Sequence, residues 1–372
     1  MLELVLTCDL GGSLTKAIVK EYPKSVSKSI VMGSAIADVG KKSVENQFEN
    51  IPIESGIWVG YNKEYFVLGA LAVEQFAGTN SLRKLKYEIA VPKLLGCIAA
   101  AMKEYNSTEA RVYIMCLLPP SEIGDGDNLR KAIYIACKKG IESPIGKLKI
   151  EVVAFKTESE GSGIIRHRIK QLGEDWSKRN IVMTMLGYRN ASAFISKNGV
   201  PKGNPTSDLG MNWLVSRFID RSAVGLSVSD FSKVVEALVL AYQYEDKDAL
   251  MRLSKKSNPK AIRTDIRIFD KNMKLLFDEY SRALFRFISD CIDECDEVLL
   301  CGGTAYFVKP YLEPFFVKEE IPLIWDGGVE VPQSIDRHNL GNRLADCYAM
   351  HETFVRGVDK LNKYERYGTS VG

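Results

Sequence analysis

Residues 5–20 read VLTCDLGGSLTKAIVK. The β-like runs 3–7 (ELVLT) and 16–21 (KAIVKE) are joined by Gly11-Gly12-Ser13, a pattern that predicts a hairpin with a glycine-rich tip. A second strand–turn–strand unit, VMTMLGYRNASAFISK, occupies residues 182–197. Laying Gly11 over Gly187 puts Asp9 over Met185. One β-hairpin constrains little, because hairpins recur by chance. Here one copy opens each half of the chain, and that placement predicts two related halves built on the same α/β plan.

The first copy carries specific chemistry. In DLGGSLTK, Gly11 and Gly12 let the backbone come close to an anion. Successive N–H groups of the turn, through Leu14 and Thr15, form a nest for phosphate oxygens. Ser13 and Thr15 add hydroxyl donors, and Lys16 adds a point charge. Asp9, at the end of the strand, is placed to hold water bound to Mg²⁺. The bland alternative is a plain surface hairpin.

Around these units the periodicity alternates between strand and helix. Residues 111–117 (RVYIMCL), closed by Pro119-Pro120, and 148–155 (LKIEVVAF) read as buried strands, the second followed by a helix from about Glu158. A helix is expected to begin near Pro92, since proline suits a first turn, with Leu94, Leu95, Ile98, Ala99 and Met102 on one face. Farther on, helices are expected near 207–221 and 229–244, then a polar loop over 245–265 and a long helix over 270–294. The strand EVLLC (297–301) leads into Gly302-Gly303-Thr304, and a last helix covers about 340–362.

The 372 residues are too many for one ordinary core, so two or more domains are expected. Lys and Arg number 50 against 47 Asp and Glu, which argues against a nucleic-acid surface spread over the whole molecule. No apolar run approaches the roughly 18 residues of a membrane span. The opening MLELVLTCDLGG reads as a strand rather than a leader, and a cytoplasmic location is expected. The eight cysteines are scattered and largely apolar in setting, which suits reduced, buried thiols. Cys291 and Cys295 share a helix face, but no second pair completes a metal site. His167, His338 and His351 are isolated, and none is assigned a catalytic role.

DLGGSLTK resembles the first phosphate motif of the superfamily that contains actin, the sugar kinases and the heat-shock chaperones. The order of features over nearly the whole chain is similar too: phosphate hairpin, connecting segment with a catalytic carboxylate or carboxamide, second phosphate hairpin, and a late Gly-Gly motif at the nucleoside. Within the superfamily the sequence looks most like the bacterial plasmid-segregation actins, ParM and its StbA-type relatives. The resemblance implies an actin-like (ribonuclease-H-like) duplicated two-domain α/β fold with a nucleotide cleft between the domains. Residues 1–174 would form the first domain, completed by the C-terminal helix 338–372, and 175–337 the second. It also implies ATP or ADP with Mg²⁺, the metal having no direct protein ligand.

The same resemblance assigns residues. Gly11, Gly12, Ser13, Leu14, Thr15 and Lys16 would bind phosphate, with Asp9 associated with Mg²⁺. Residues 152–163 (VVAFKTESEGSG) resemble the connecting segment, and the match falls on Glu158, whose carboxylate would orient the water attacking the γ-phosphate. Glu160 is the second choice. Thr157 and Glu160 also have the spacing of a capping box, so a helix is expected to start there. In the second hairpin Gly187, Tyr188, Arg189 and Asn190 would meet phosphate. Relatives carry Asp where Met185 stands, a change that counts against hydrolysis more than against binding, while Arg189 adds a cation able to neutralise phosphate. Gly302, Gly303 and Thr304 resemble the adenosine motif, where a small residue lets a nucleoside lie against the backbone.

The expected function is therefore an ATPase that polymerises into nucleotide-dependent filaments for plasmid DNA segregation. Its partners would be copies of itself and an adaptor protein bound to plasmid DNA, with no direct DNA contact and no membrane. The alternatives are a nucleotide-binding regulatory or chaperone-like protein with weak hydrolysis, and a small-molecule kinase. No carboxylate motif suits the kinase's substrate hydroxyl, and a fold alone does not decide among the three.

Overall fold

The computed structural model describes residues 1–45, 48, 51–79, 86–222, 224–227, 230–243, 245–291 and 294–367. The chain divides into two compact units, Met1–His167 with Val329–Gly372, and Arg168–Gly328. Residues 368–372, included in the expected C-terminal return, lie outside the described residues, as do 229, 244 and 292–293 of the expected helices.

The first unit contains strands β1 (Leu2–Leu10), β2 (Leu14–Glu21), β3 (Lys28–Gly33), β4 (Ile36–Val39), β5 (Ile57–Tyr61), β6 (Glu64–Leu68), β7 (Glu109–Leu118), β8 (Ile141–Ser143) and β9 (Gly146–Ser159). They form one sheet in the order β3-β2-β1-β7-β9-β8-β5-β6-β4. The second unit contains β10 (Ile181–Leu186), β11 (Ala191–Lys197), β12 (Val200–Gly203), β13 (Thr206–Ser207), β14 (Glu297–Cys301) and β15 (Leu323–Trp325), ordered β12-β11-β10-β14-β15, with β13 on β11. The helices are α1 (Ala70–Phe76), α2 (Lys86–Glu104), α3 (Gly126–Lys139), α4 (Ser162–Leu172), α5 (Met211–Ser222), α6 (Phe231–Gln243), α7 (Pro259–Ser289), α8 (Ala305–Lys318) and α9 (Ala345–Tyr367).

The two sheets repeat one plan. From β3 to β9 the pairings run antiparallel, antiparallel, parallel, parallel. From β12 to β15 they run the same way. The recurrence seen in the hairpin sequences is thus a recurrence of the sheet core, with β1 and β10 central in each.

Side-chain alternation explains why β1 is central. Leu4, Leu6, Cys8 and Leu10 pack with Leu94, Ile98 and Ile133 of α2 and α3. Val5 points the other way and joins Met115, Leu117, Met350, Phe354 and Val358, the last three from α9. A strand covered on both faces reads as a continuous apolar run. Burying each such side chain stabilises the fold by roughly 1.5–3 kcal/mol. His351 belongs to this second layer. It is buried between the hydroxyls of Thr7 and Ser27, each 3.1 Å from a ring nitrogen. Burial holds its pKa down to about 3, so it stays neutral.

Two expectations need correction. Pro92 does not open α2, which is already helical from Lys86; the proline sits inside, where it only removes one backbone donor. Residues 259–265 are not loop but the first turns of α7. Asn258 caps them, its side chain accepting from the amides of Lys260 (2.9 Å) and Ala261 (3.3 Å), and Pro259 takes the first helical position. Polar composition there reflects a largely exposed helix start. Among the described residues no helix is long and apolar enough to cross a membrane.

Candidate functional site

The β1–β2 register places Asp9 opposite Lys16 and Leu10 opposite Thr15. Gly11, Gly12 and Ser13 are left as the tip. The tip is tight: a Cβ on Gly11 would lie 2.7 Å from the Leu14 carbonyl oxygen, closer than side-chain atoms come. Asp9 and Lys16 form an ion pair of 2.6 Å, each side chain only 14% exposed. The Lys16 ammonium also donates to the backbone carbonyl of Arg343 at 2.8 Å. The Arg343 guanidinium in turn donates to the Ser13 hydroxyl at 3.2 Å. Ser34 donates to the Gly12 carbonyl at 2.6 Å and adds a further hold on the tip. Thr15 is buried. The donor set (a hydroxyl, an ammonium and a guanidinium beside a bare glycine turn) fits an anion such as a phosphate chain, and the Asp9 carboxylate fits a hydrated divalent cation beside it.

The connecting segment differs in detail from its expected form. β9 stays paired with β7 through Glu158 opposite Leu117 and Ser159 opposite Leu118, and the Glu160 amide still donates to the Leu118 carbonyl at 2.8 Å. The helix α4 starts only at Ser162, so the Thr157–Glu160 capping box does not form. Strand pairing claims those residues instead. The cap comes from Asp346, at the start of α9. Its carboxylate accepts from the amides of Gly161 (2.8 Å), Gly163 (2.9 Å) and Ile164 (3.3 Å). Gly163 is glycine because α9 presses on it: a Cβ there would meet the Asp346 carbonyl oxygen at 2.2 Å. Burial raises the Asp346 pKa to about 6, with Asp9 and Glu160 adding like charge against the lowering effect of the amides. Glu158 accepts from Arg166 of α4 at 2.7 Å and is part-exposed.

In the second unit β10 and β11 form the matching hairpin, with Met185 opposite Ser192. The Gly187 amide closes the turn on the Asn190 carbonyl at 2.9 Å. The carbonyls of Gly187 and Tyr188 accept from the amides of Met211 (3.2 Å) and Asn212 (2.9 Å) at the start of α5. Gly210 permits that approach, since a Cβ would lie 2.3 Å from the Arg189 carbonyl carbon. The Tyr188 ring turns inward, edge-on to Phe231 with centroids 5.8 Å apart, which leaves its backbone, not its side chain, toward the turn. Arg189 and Asn190 are exposed.

Gly302, Gly303 and Thr304 join β14 to α8 beside this hairpin. Gly302 has φ +96°, and a Cβ on it would come 2.5 Å from the Leu186 carbonyl oxygen. The Thr304 amide donates to that same oxygen (3.2 Å) and its hydroxyl to the Gly187 carbonyl (2.9 Å). Gly302 and Thr304 therefore weld the late motif to the second hairpin. Next to them in the sheet, β15 is followed directly by Asp326, a buried residue whose Oδ1 has no hydrogen-bond partner. Burial lifts its pKa to about 7, and Lys309 lowers it only in part.

The predicted residues thus assemble as two groups, Asp9 through Lys16 in the first unit, and Gly187 through Asn190 with Gly302 through Thr304 in the second. Sequence reasoning missed Arg343 and Asp346. Arg343 lies 330 residues from the serine it touches, and no local pattern announces such a contact. Asp346 reads as the N-terminal acid of its own helix. Among the described residues no cluster of three or more His, Cys, Asp or Glu is arranged to hold a metal.

Neither a protein-family model nor a curated protein matches the sequence. Solved structures do. The archaeal actin homolog Ta0583 is 16% identical with a TM-score of 0.62, aligning over 96% of this chain and 100% of its own. Bacillus thuringiensis ParM with ATP is 14% identical with a TM-score of 0.58, over 95% of this chain and 100% of its own. Alp12, in its filament structure, is 15% identical with a TM-score of 0.57, over 96% and 100%. At these identities the likeness is one of fold. The chain has the actin-like fold along nearly its whole length.

Proposed function

We propose that the chain is an actin-like ATP-binding protein that assembles into nucleotide-dependent filaments and serves plasmid DNA segregation through an adaptor. The observation that carries this reading is the charged cradle around the β1–β2 tip, on a fold shared with a ParM solved with ATP and with Alp12 solved as a filament. Gly11 through Lys16 would hold the phosphate chain, and Asp9 the water around Mg²⁺. Gly187 through Asn190 would offer a second set of turn groups, Arg189 supplying charge. Gly302, Gly303 and Thr304 would lie at the nucleoside. Bound Mg²⁺ would neutralise phosphate charge. Glu158, held by Arg166, would orient water, with Glu160 as the second carboxylate of the segment. The expected partners are copies of itself and the adaptor, in the cytoplasm.

Met185 favours a second reading. Without a carboxylate at the second hairpin, turnover would be slow, and the protein would act as a nucleotide-binding regulator. Light scattering and phosphate release with ATP, ADP or no nucleotide separate the two. ATP-dependent scattering with phosphate release is expected; binding with neither favours the regulator. Asp9→Ala should weaken ATP–Mg²⁺ affinity by about a hundredfold, since a charge-assisted contact of roughly 1.5–3 kcal/mol is lost and Lys16 loses its partner. Glu158→Ala should slow phosphate release while leaving affinity within about threefold, because a water-orienting group acts on the transition state. Unchanged affinity in Asp9→Ala would remove the main support for nucleotide binding at this hairpin.

A further inference from the structure

The cradle at the first hairpin contains a residue from the far end of the chain. Arg343 lies in the short turn Gly341–Leu344 that leads into α9. Asp336 anchors the entry to that turn, its carboxylate accepting from the amides of Leu340 (2.8 Å) and Gly341 (2.6 Å). Three residues past Arg343, Asp346 anchors the exit through Gly161, Gly163 and Ile164. Between these anchors the Arg343 carbonyl is bound by the Lys16 ammonium. The backbone of Arg343 is thus tied to the hairpin independently of its side chain, and the guanidinium is rooted at the Ser13 hydroxyl.

Charge balance gives that placement a purpose. Lys16, the cation that the motif supplies, is already paired with Asp9, so the pair is close to neutral as a unit. A phosphate chain bound at the tip needs further positive charge. A guanidinium carries a permanent one and several donors in a planar fork that matches phosphoryl oxygens.

We propose that Arg343 is a phosphate-binding residue of this site, meeting phosphoryl oxygens of a bound nucleotide beside Ser13. The proposal rests on the nucleotide-binding reading above and extends it to a residue outside every motif of the sequence. Binding would draw the turn before α9 onto the hairpin through the side chain as well as through the Lys16–carbonyl bond. The C-terminal segment would thereby sense whether phosphate is present.

The test is calorimetric titration of the full chain with ATP–Mg²⁺ and with pyrophosphate, in the parent, Arg343→Gln and Arg343→Lys. Arg343→Gln should weaken both ligands by about tenfold to a hundredfold, the range for losing one charged hydrogen-bonding group. Arg343→Lys should recover part of the loss, because charge returns without the fork. The melting temperature of the unliganded protein should stay within about 2 °C, since the side chain makes an exposed contact and the backbone anchor is untouched. Equal affinities in parent and Arg343→Gln overturn the proposal while leaving the nucleotide reading intact. A loss that Arg343→Lys does not relieve, accompanied by a lowered melting temperature, also overturns it, because the residue is then structural. A parent that binds neither ligand overturns both readings.

Discussion

The tip of β1–β2 is held by side-chain charge, with Asp9, Lys16 and Arg343 meeting around Ser13, whereas the tip of β10–β11 is held chiefly by main-chain contacts with neighbouring elements. In the second hairpin the carbonyls of Leu186, Gly187 and Tyr188 accept from Thr304, Met211 and Asn212, and glycines at 210 and 302 let those elements close in. The sheets beneath share one pairing plan, so the difference is local. Charged groups around a bare turn can exchange partners when an anion arrives. A turn whose carbonyls are already bonded and whose neighbours touch backbone to backbone cannot rearrange without breaking its own support. Met185 is accommodated because the second hairpin is positioned by main-chain contacts that no side chain at 185 supplies.

Its largest expected consequence concerns a buried acid. Asp346 in the first unit is satisfied by three amides. Asp326 in the second has an Oδ1 with no partner. Tyr306 and Lys309 of α8 face it, and neither offsets its burial. With a folded pKa of about 7 against an ordinary 3.8, the native state holds the proton more tightly. Stability should therefore fall as pH rises from about 4 to about 7 and stay lowered above that. The rise corresponds to on the order of 4 kcal/mol at most. Asn tolerates the positive φ of 50° found there. Asp326→Asn should thus be more stable than the parent at pH 8 and equal to it near pH 4, by urea unfolding. A gap that does not change with pH would show that the carboxylate is compensated and the contrast with Asp346 is false.

What could be read from the sequence follows the same division. The β1–β2 hairpin and β14 are legible because adjacent residues specify them. The duplication was legible because β10–β11 keeps the strand–glycine–strand pattern after losing the carboxylate at 185. The start of α7 is masked by its exposed, polar composition, although Asn258 and Pro259 carry a helix-start signal. The α4 cap was missed because its acid comes from α9. Arg343 escapes sequence reading for the same reason: sequence patterns report local neighbours, and the β1–β2 cradle is completed from the far end of the chain.

A smaller effect is expected at Gly302. Replacing it with Ala puts a Cβ 2.5 Å from the Leu186 carbonyl oxygen at a φ of +96°. A backbone neighbour cannot swing aside as a side chain can, so the variant should lose about 3 kcal/mol in urea unfolding. Arg343→Gln should do the reverse, costing affinity and not stability. If Gly302→Ala unfolded at the parent's midpoint, the second hairpin would be more compliant than its packing implies.

The smallest effect isolates one bond. Thr304→Val keeps the shape of a side chain that is almost fully buried and removes only the hydroxyl that donates to the Gly187 carbonyl. That carbonyl is not orphaned, because the Met211 amide still reaches it at 3.2 Å. The loss should be about 1 kcal/mol, the net value of a hydrogen bond whose acceptor keeps a partner. The same variant should leave ATP affinity within about twofold, because the hydroxyl is directed at the turn while the backbone at Thr304, the part that would lie at the nucleoside, is unchanged. A loss of affinity larger than the loss of stability would mean that the Thr304 hydroxyl serves the ligand rather than the turn. The second hairpin would then resemble the first in depending on a side chain, and the distinction between them would rest on Met185 alone.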